Sequence, residues 1–144
     1  MKILFVCSGN VGRSQIAESI FNKITNGKHH AESAGTDVTS GDNDDREGQL
    51  LKENQDAATV IEAMNEIGID MSEKVRKQIK SGMIVDADKI VMMTRPKTVL
   101  EHIKAHPQVV FWDVADPYHE SLEFTRRVRD RINSLVEDLI NSFD

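Results

Sequence analysis

Apolar and polar positions fall in blocks along the chain, and the changes of period mark its elements. Residues 2–6 (KILFV) form a short apolar run of strand formers that stops at the turn signal Cys7-Ser8-Gly9-Asn10. From Arg13 the period becomes helical: Ile16, Ala17, Ile20, Phe21 and Ile24 recur on one face until Asn26-Gly27 stops the run. Residues 30–35 (HAESAG) predict a second short strand ending at Gly35. Residues 36–57 carry six acids between 40 and 56 against two bases, and predict either a mobile polar loop or a loop with a short helix around Glu47–Glu53. Helical spacing returns with Ala58, Ile61, Ala63, Met64 and Ile67, closed by Gly68. Asp70-Met71-Ser72-Glu73 then predicts a short helix to about Lys80, with Ser72 as N-cap.

The run Asp88–Thr94 (DKIVMMT) predicts a third strand, and its near-continuous apolar character suits burial on both faces. Pro96 suits the first turn of a helix reaching Ile103. Gln108–Trp112 predicts a fourth strand. After Asp116-Pro117, the positions Val128, Ile132, Leu135, Val136, Leu139, Ile140 and Phe143 make the apolar stripe of a last helix, with Arg126, Arg127, Arg129, Asp130 and Arg131 mostly opposite. Trp112 and the five phenylalanines are expected in the core. Strands alternating with helices predict a single-domain α/β sandwich over 1–144, built on a parallel sheet with right-handed crossovers. In such sheets ligands sit at the carboxyl ends of the strands, so the loop after residue 6 is where chemistry is expected.

Composition narrows the classes. The 144 residues and 39% apolar content suffice for one core. The net charge of −6 argues against general nucleic-acid binding and against attraction to anionic membranes. No apolar run approaches the ~18 residues that span a bilayer. The first residues lack the parts of a signal peptide, and a cytoplasmic location is expected. One cysteine excludes an intramolecular disulfide and a cysteine-rich zinc site, and suits a reducing compartment. His29-His30 and the pair His102/His106 lack a third ligand placed by spacing, so no metal is expected. The acidic run 42–56 reads as a solvated loop.

That cysteine opens Cys7-Ser8-Gly9-Asn10-Val11-Gly12-Arg13-Ser14, where a strand gives way to a glycine-bearing loop and then a helix. Each part has a physical task if the ligand is a tetrahedral oxyanion. Gly9, Asn10 and Gly12 permit the positive φ values that curl a loop and aim successive N–H groups inward. The helix N-terminus adds unpaired N–H groups and the positive end of a dipole. Arg13 can grip two oxygens with a planar fork. The same positive field favours a thiolate on Cys7, to which the Ser14 hydroxyl can donate.

The segment 6–14 closely resembles the active-site loop of low-molecular-weight protein tyrosine phosphatases, a fold shared with arsenate reductases. The resemblance continues in Ser33-Ala34-Gly35-Thr36, in Gly68-Ile69-Asp70 and in Asp116-Pro117-Tyr118, with 38–57 the least similar part. It implies a three-layer sandwich around a four-stranded parallel sheet of order 2-1-3-4. It implies Cys7 as nucleophile, Arg13 as phosphate clamp and Asp116 as general acid, with Asp113 the competing acid three residues earlier. Ser8, Gly9, Asn10, Val11, Gly12, Arg13 and Ser14 would cradle the phosphate. Asn10, held in part by Ser33, would orient the loop, Ser14 would support the thiolate, and Tyr118 would flank the substrate ring. The implied partners are a phosphotyrosine protein or a small aryl phosphate, with inorganic phosphate as product and no cofactor; the oligomeric state stays open, with a monomer favoured.

Departures from the family pattern keep three readings open. Gly12 stands where many members carry a second cysteine, so peroxide is expected to drive Cys7 beyond the reversible oxidation states. A thioredoxin-coupled arsenate relay needs further cysteines and is excluded on chemical grounds, whereas an arsenate transferase using an external thiol is not. The segments 14–18, Trp112…Asp116-Pro117 and 126–130 resemble the reductase branch. His119 replaces a second aromatic, 38–57 contains no aromatic, and Glu73 stands about where relatives place a loop-supporting histidine. A phosphatase, a single-cysteine arsenate:thiol transferase and a non-catalytic phosphate or phosphopeptide binder therefore remain distinct expectations.

Overall fold

Strand β1 (Lys2–Cys7) is the centre from which the fold is built. Its side chains alternate between two cores. Ile3, Phe5 and Cys7 face one, and Leu4 and Val6 face the other. The computed structural model describes residues 1–39, 46–95 and 100–143. In it β1 lies between β2 (His30–Gly35) and β3 (Lys89–Met92), and β4 (Val109–Phe111) pairs on the far side of β3. All pairings are parallel, and the order is β2-β1-β3-β4.

Helices cover both faces. On one, α1 (Arg13–Thr25), α2 (Ala58–Asn65) and α5 (Leu122–Asn141) close the larger core, where the Phe5 ring meets Phe21 at 6.0 Å and Trp112 at 5.6 Å. On the other, α3 (Ser81–Asp86) and α4 (Glu101–Ala105) pack Ile84 and Ile103 against Leu4, Val6 and Ile90. The stripe on α5 buries Val128, Ile132, Val136 and Leu139, and the Ser121 side chain caps the helix by accepting from the Phe124 N–H at 3.1 Å. Among the described residues no helix is long and apolar enough to cross a membrane.

Several expectations change. Residues 72–80 are not helical. Ser72 does not cap a helix; its N–H donates to Asp70 Oδ1 at 2.9 Å in a local turn. The segment runs extended because its backbone is shared between two neighbours. Arg76 exchanges hydrogen bonds with Gln49 and Gly48, and Gly35 donates to Lys77 and accepts from Ile79. The helix forms later, at Ser81. Around 47–53 there is only a 3₁₀ turn, Leu51–Glu53, followed by a second at Gln55–Ala57. Strands β3 and β4 are shorter than the apolar runs that predict them; Met93, just past β3, is buried in the larger core. The helix expected from Pro96 is described only over Glu101–Ala105; Pro96 lies outside the described residues. Phe111 is not core. It lies 38% exposed on the edge strand, with the Arg95 guanidinium 3.7 Å over its ring.

Candidate functional site

The carboxyl ends of β1, β3 and β4 and the chain leaving β2 converge on one cleft of about 330 Å³. Its floor is the loop 8–13, and its walls include Asp37, Val38, Arg46, Asn54, Asp56, Arg76, Asp116, Pro117 and Tyr118. Cys7 lies at the last position of β1, 2% exposed, under that loop. The first turn of α1 has no side-chain cap and no acidic residue, so its N–H groups and dipole end are directed to the loop without a competing carboxylate.

The loop is fixed from below by a buried polar network. Ser14 Oγ lies 2.9 Å from Cys7 Sγ. The Asn10 amide donates to Ser14 Oγ at 2.8 Å and to Ser33 Oγ at 3.0 Å. Its carbonyl oxygen accepts from Gln15 Nε2 at 3.0 Å and from the Lys77 N–H at 2.8 Å. A backbone N–H can only donate, so the Lys77 contact settles which way the Asn10 amide faces. Both amide hydrogens of Asn10 are then used, and Ser14's single proton is left for Cys7 Sγ.

Asn10 takes the left-handed conformation at φ 54°. Gly9 and Gly12 do not; the glycines serve close approach instead. A Cβ at Gly12 would lie 3.1 Å from Pro117, and one at Gly9 would lie 3.4 Å from Arg76 Nη2. The tightest case is Gly35, where a Cβ would come within 2.6 Å of Ser8 O and 2.9 Å of Asn10 N.

Arg13 is 9% exposed. Its Nη1 edge donates to the backbone carbonyls of Met93 and, at 3.3 Å, Val114, just beyond β3 and β4. The carbonyls orient the guanidinium, and its Nη2 reaches across the cleft to Asp116 Oδ2 at 3.5 Å. Asp116 is held in turn by the Tyr118 N–H, which donates to Oδ1 at 3.0 Å. Asp113 does not line the cleft. The Ser8 hydroxyl pairs with Thr94 Oγ1 at 2.7 Å.

The outer wall is less constrained. Tyr118 lines the cleft but is 56% exposed. Its ring stacks on His119 at 3.8 Å, and His119 Nε2 meets Asp56 Oδ1 at 3.0 Å. His119 thus backs the tyrosine rather than forming a second wall. Glu73 does not support the loop; it is exposed and pairs with Lys52 at 2.6 Å. The support that sequence reading sought there comes from the backbone of Lys77 and from Arg76, whose Nε donates to Gly9 O at 2.9 Å. Gln15, Glu18, Gly35, Arg76 and Lys77 were not singled out for the site by sequence. Gln15, Glu18 and Gly35 carried a signal, because they lie in segments that resemble the family, and Glu18 is also a charged residue one turn beyond Ser14 on the buried face of α1. Among the described residues no three His, Cys, Asp or Glu side chains are grouped to hold a metal.

A loop of this build, closing over a thiol at the end of β1 and leading into α1, defines a class. The model of the family described as low molecular weight phosphotyrosine protein phosphatase matches residues 2–144, and the chain belongs to that family. It is 29% identical over 145 residues to a glutaredoxin arsenate reductase from Synechocystis sp., covering 96% of this chain and 95% of the relative. Among solved structures it is similar to a low molecular weight protein tyrosine phosphatase from T. tengcongensis, at 26% identity and a TM-score of 0.78, covering 99% of each chain. It is similar to the same degree to an arsenate reductase in a phosphate-binding state, at 27% identity and a TM-score of 0.78, covering 99% of this chain and 98% of that one.

Proposed function

We propose that the chain is a cysteine-dependent phosphatase that hydrolyses aryl phosphate monoesters, phosphotyrosine in proteins among them. The observation that supports this best is the Arg13–Asp116 pair, 3.5 Å apart, across the mouth of a cradle that has Cys7 beneath it. A phosphate bound to the loop N–H groups and to Arg13 presents its phosphorus to Cys7 Sγ and its leaving oxygen to Asp116. The Cys7 thiolate attacks in line, forming the S–P bond as the P–O bond to the phenol breaks. Arg13 and the backbone N–H groups hold the equatorial oxygens as charge builds in the transition state. Asp116 donates its proton to the departing phenolate, then takes one from the water that cleaves the phosphocysteine to inorganic phosphate. No metal or organic cofactor enters these steps. A non-catalytic binder would need neither the thiol nor the acid. Dependence on a free thiol suits a reducing, cytoplasmic compartment.

The name of the Synechocystis relative favours a second reading, an arsenate:thiol transferase. Here Cys7 would engage arsenate in the same cradle, and an external thiol would supply the electrons, since the chain holds no other cysteine. One pair of assays separates the two. The phosphatase reading expects release of inorganic phosphate from an aryl phosphate, lost in Cys7→Ser, with no arsenate-dependent thiol consumption. Thiol consumption that requires arsenate and Cys7, without aryl phosphate hydrolysis, would replace it with the second.

A further inference from the structure

The network under Cys7 does not end at Ser33. Ser33 receives an amide hydrogen from Asn10, and its own proton goes to Glu18 Oε1 at 3.0 Å. Glu18 lies on α1, and its side chain is 6% exposed. It is paired with two lysines from the extended segment 72–80: Lys74 on Oε2, and Lys77 at 3.5 Å from Oε1. The donors and acceptors form a directed chain. The lysines can only donate and the carboxylate only accept, so Ser33 must face Glu18, Asn10 must face both serines, and Ser14 keeps its proton for Cys7. A carboxylate buried this deeply is strongly unfavourable unless it is paired. Two part-exposed cations meet it here, so the cluster carries one net positive charge.

We propose that Glu18, Lys74 and Lys77 form a positioning cluster in which Glu18 holds Ser33 as an acceptor for Asn10, while the lysines offset the carboxylate charge and so bias Cys7 toward its thiolate. This rests on the reading of Cys7 as nucleophile. The cluster acts from behind the loop. Arg13, Arg76, Asp37 and Asp116 line the cleft on the other side of the loop. Lys74 is one-third exposed at its side chain, so it can be replaced without opening the core.

Cys7 is the sole thiol, so alkylation by iodoacetamide reports on it alone. The ratio of alkylation rates at about pH 6 and about pH 9 cancels differences in access and follows the thiolate fraction. Lys74→Met leaves the carboxylate with less compensation, and its ratio is expected to fall about three- to ten-fold. Glu18→Gln keeps an acceptor oxygen for Ser33 but removes the negative charge, so its ratio is expected to rise. Lys74→Arg is expected to restore the wild-type ratio. A ratio unchanged in Lys74→Met, or lowered alike in Lys74→Met and Glu18→Gln, would overturn the proposal. Protection of the wild type by inorganic phosphate tests separately whether Cys7 lies under an oxyanion cradle. If protection holds while the variants keep the wild-type ratio, only the role of Glu18 and Lys74 fails.

Discussion

The two ends of the cleft are built differently. At the inner end Asn10, Ser14, Gln15 and Ser33 are fully buried, and each is tied to another element by a hydrogen bond. At the outer end the Asp116 side chain is 56% exposed, Tyr118 is exposed, and the facing wall offers Arg46, Asn54 and Asp56 instead of aromatic rings. Buried networks hold one geometry because leaving any member unpaired is costly. Exposed side chains are under no such constraint. On the proposed function, the inner end sets what is done to a tetrahedral oxyanion, and the outer end sets only loosely what that oxyanion is attached to.

Asp116 joins the two ends, and its loss should have the largest effect. Asp116→Ala is expected to slow hydrolysis of an aryl phosphate with a poor leaving group by roughly 10²–10⁴-fold. The loss should be smaller when the leaving group departs without a proton. Steady-state rates across a series of leaving groups check this, and a uniform loss would remove Asp116 from the acid's role. The inner end should tolerate almost nothing. Gly35→Ala would drive a methyl group against the Ser8 carbonyl, and is expected to cost about 1–3 kcal/mol of stability by denaturant unfolding, together with turnover. A variant with unchanged stability and rate would mean that the loop is softer than its packing implies.

At the outer end, Tyr118→Ala is expected to raise KM for aryl phosphates several-fold, on the order of a single aromatic contact, and to leave kcat nearly unchanged. A loss in kcat instead would show that the tyrosine positions Asp116 through more than its backbone N–H. Far from the cleft, hydrogen bonds from Arg126 and Arg129 hold the Glu66 carboxyl down to about 2, from an ordinary 4.5. A lowered carboxyl stabilises the fold fully above the ordinary value and loses that contribution as pH falls through the folded one. The thermal midpoints of wild type and Glu66→Gln should therefore differ most above about pH 4.5 and converge toward pH 2, with activity at neutral pH equal.

The same contrast explains what could be read from the chain. The strand at 2–6, the helix from Arg13 and the stripe on α5 were legible because burial imposes a period. The oxyanion loop was legible because its residue types sit close together in sequence. The segment 72–80 was not. Its Ser72 and spacing resemble a helix start, but its backbone is committed to Gln49 and Gly35, which are remote in sequence. For the same reason the further support of the loop from Arg76 and the Lys77 N–H was not legible, and Glu73, the residue standing where relatives place a histidine, takes no part in it. The roles of Gly9 and Gly12 were misread because close approach to Arg76 and Pro117 leaves no trace in the local pattern.

The central claim is that Cys7 becomes covalently phosphorylated. Rapid acid quench of the wild type during turnover of an aryl phosphate, followed by peptide mass spectrometry, tests it directly. One phosphoryl group on the peptide carrying Cys7, formed fast enough to account for turnover and absent in Cys7→Ser, is the predicted result. Sustained hydrolysis by Cys7→Ser, or turnover of the wild type with no phosphoryl group on that peptide, would contradict it.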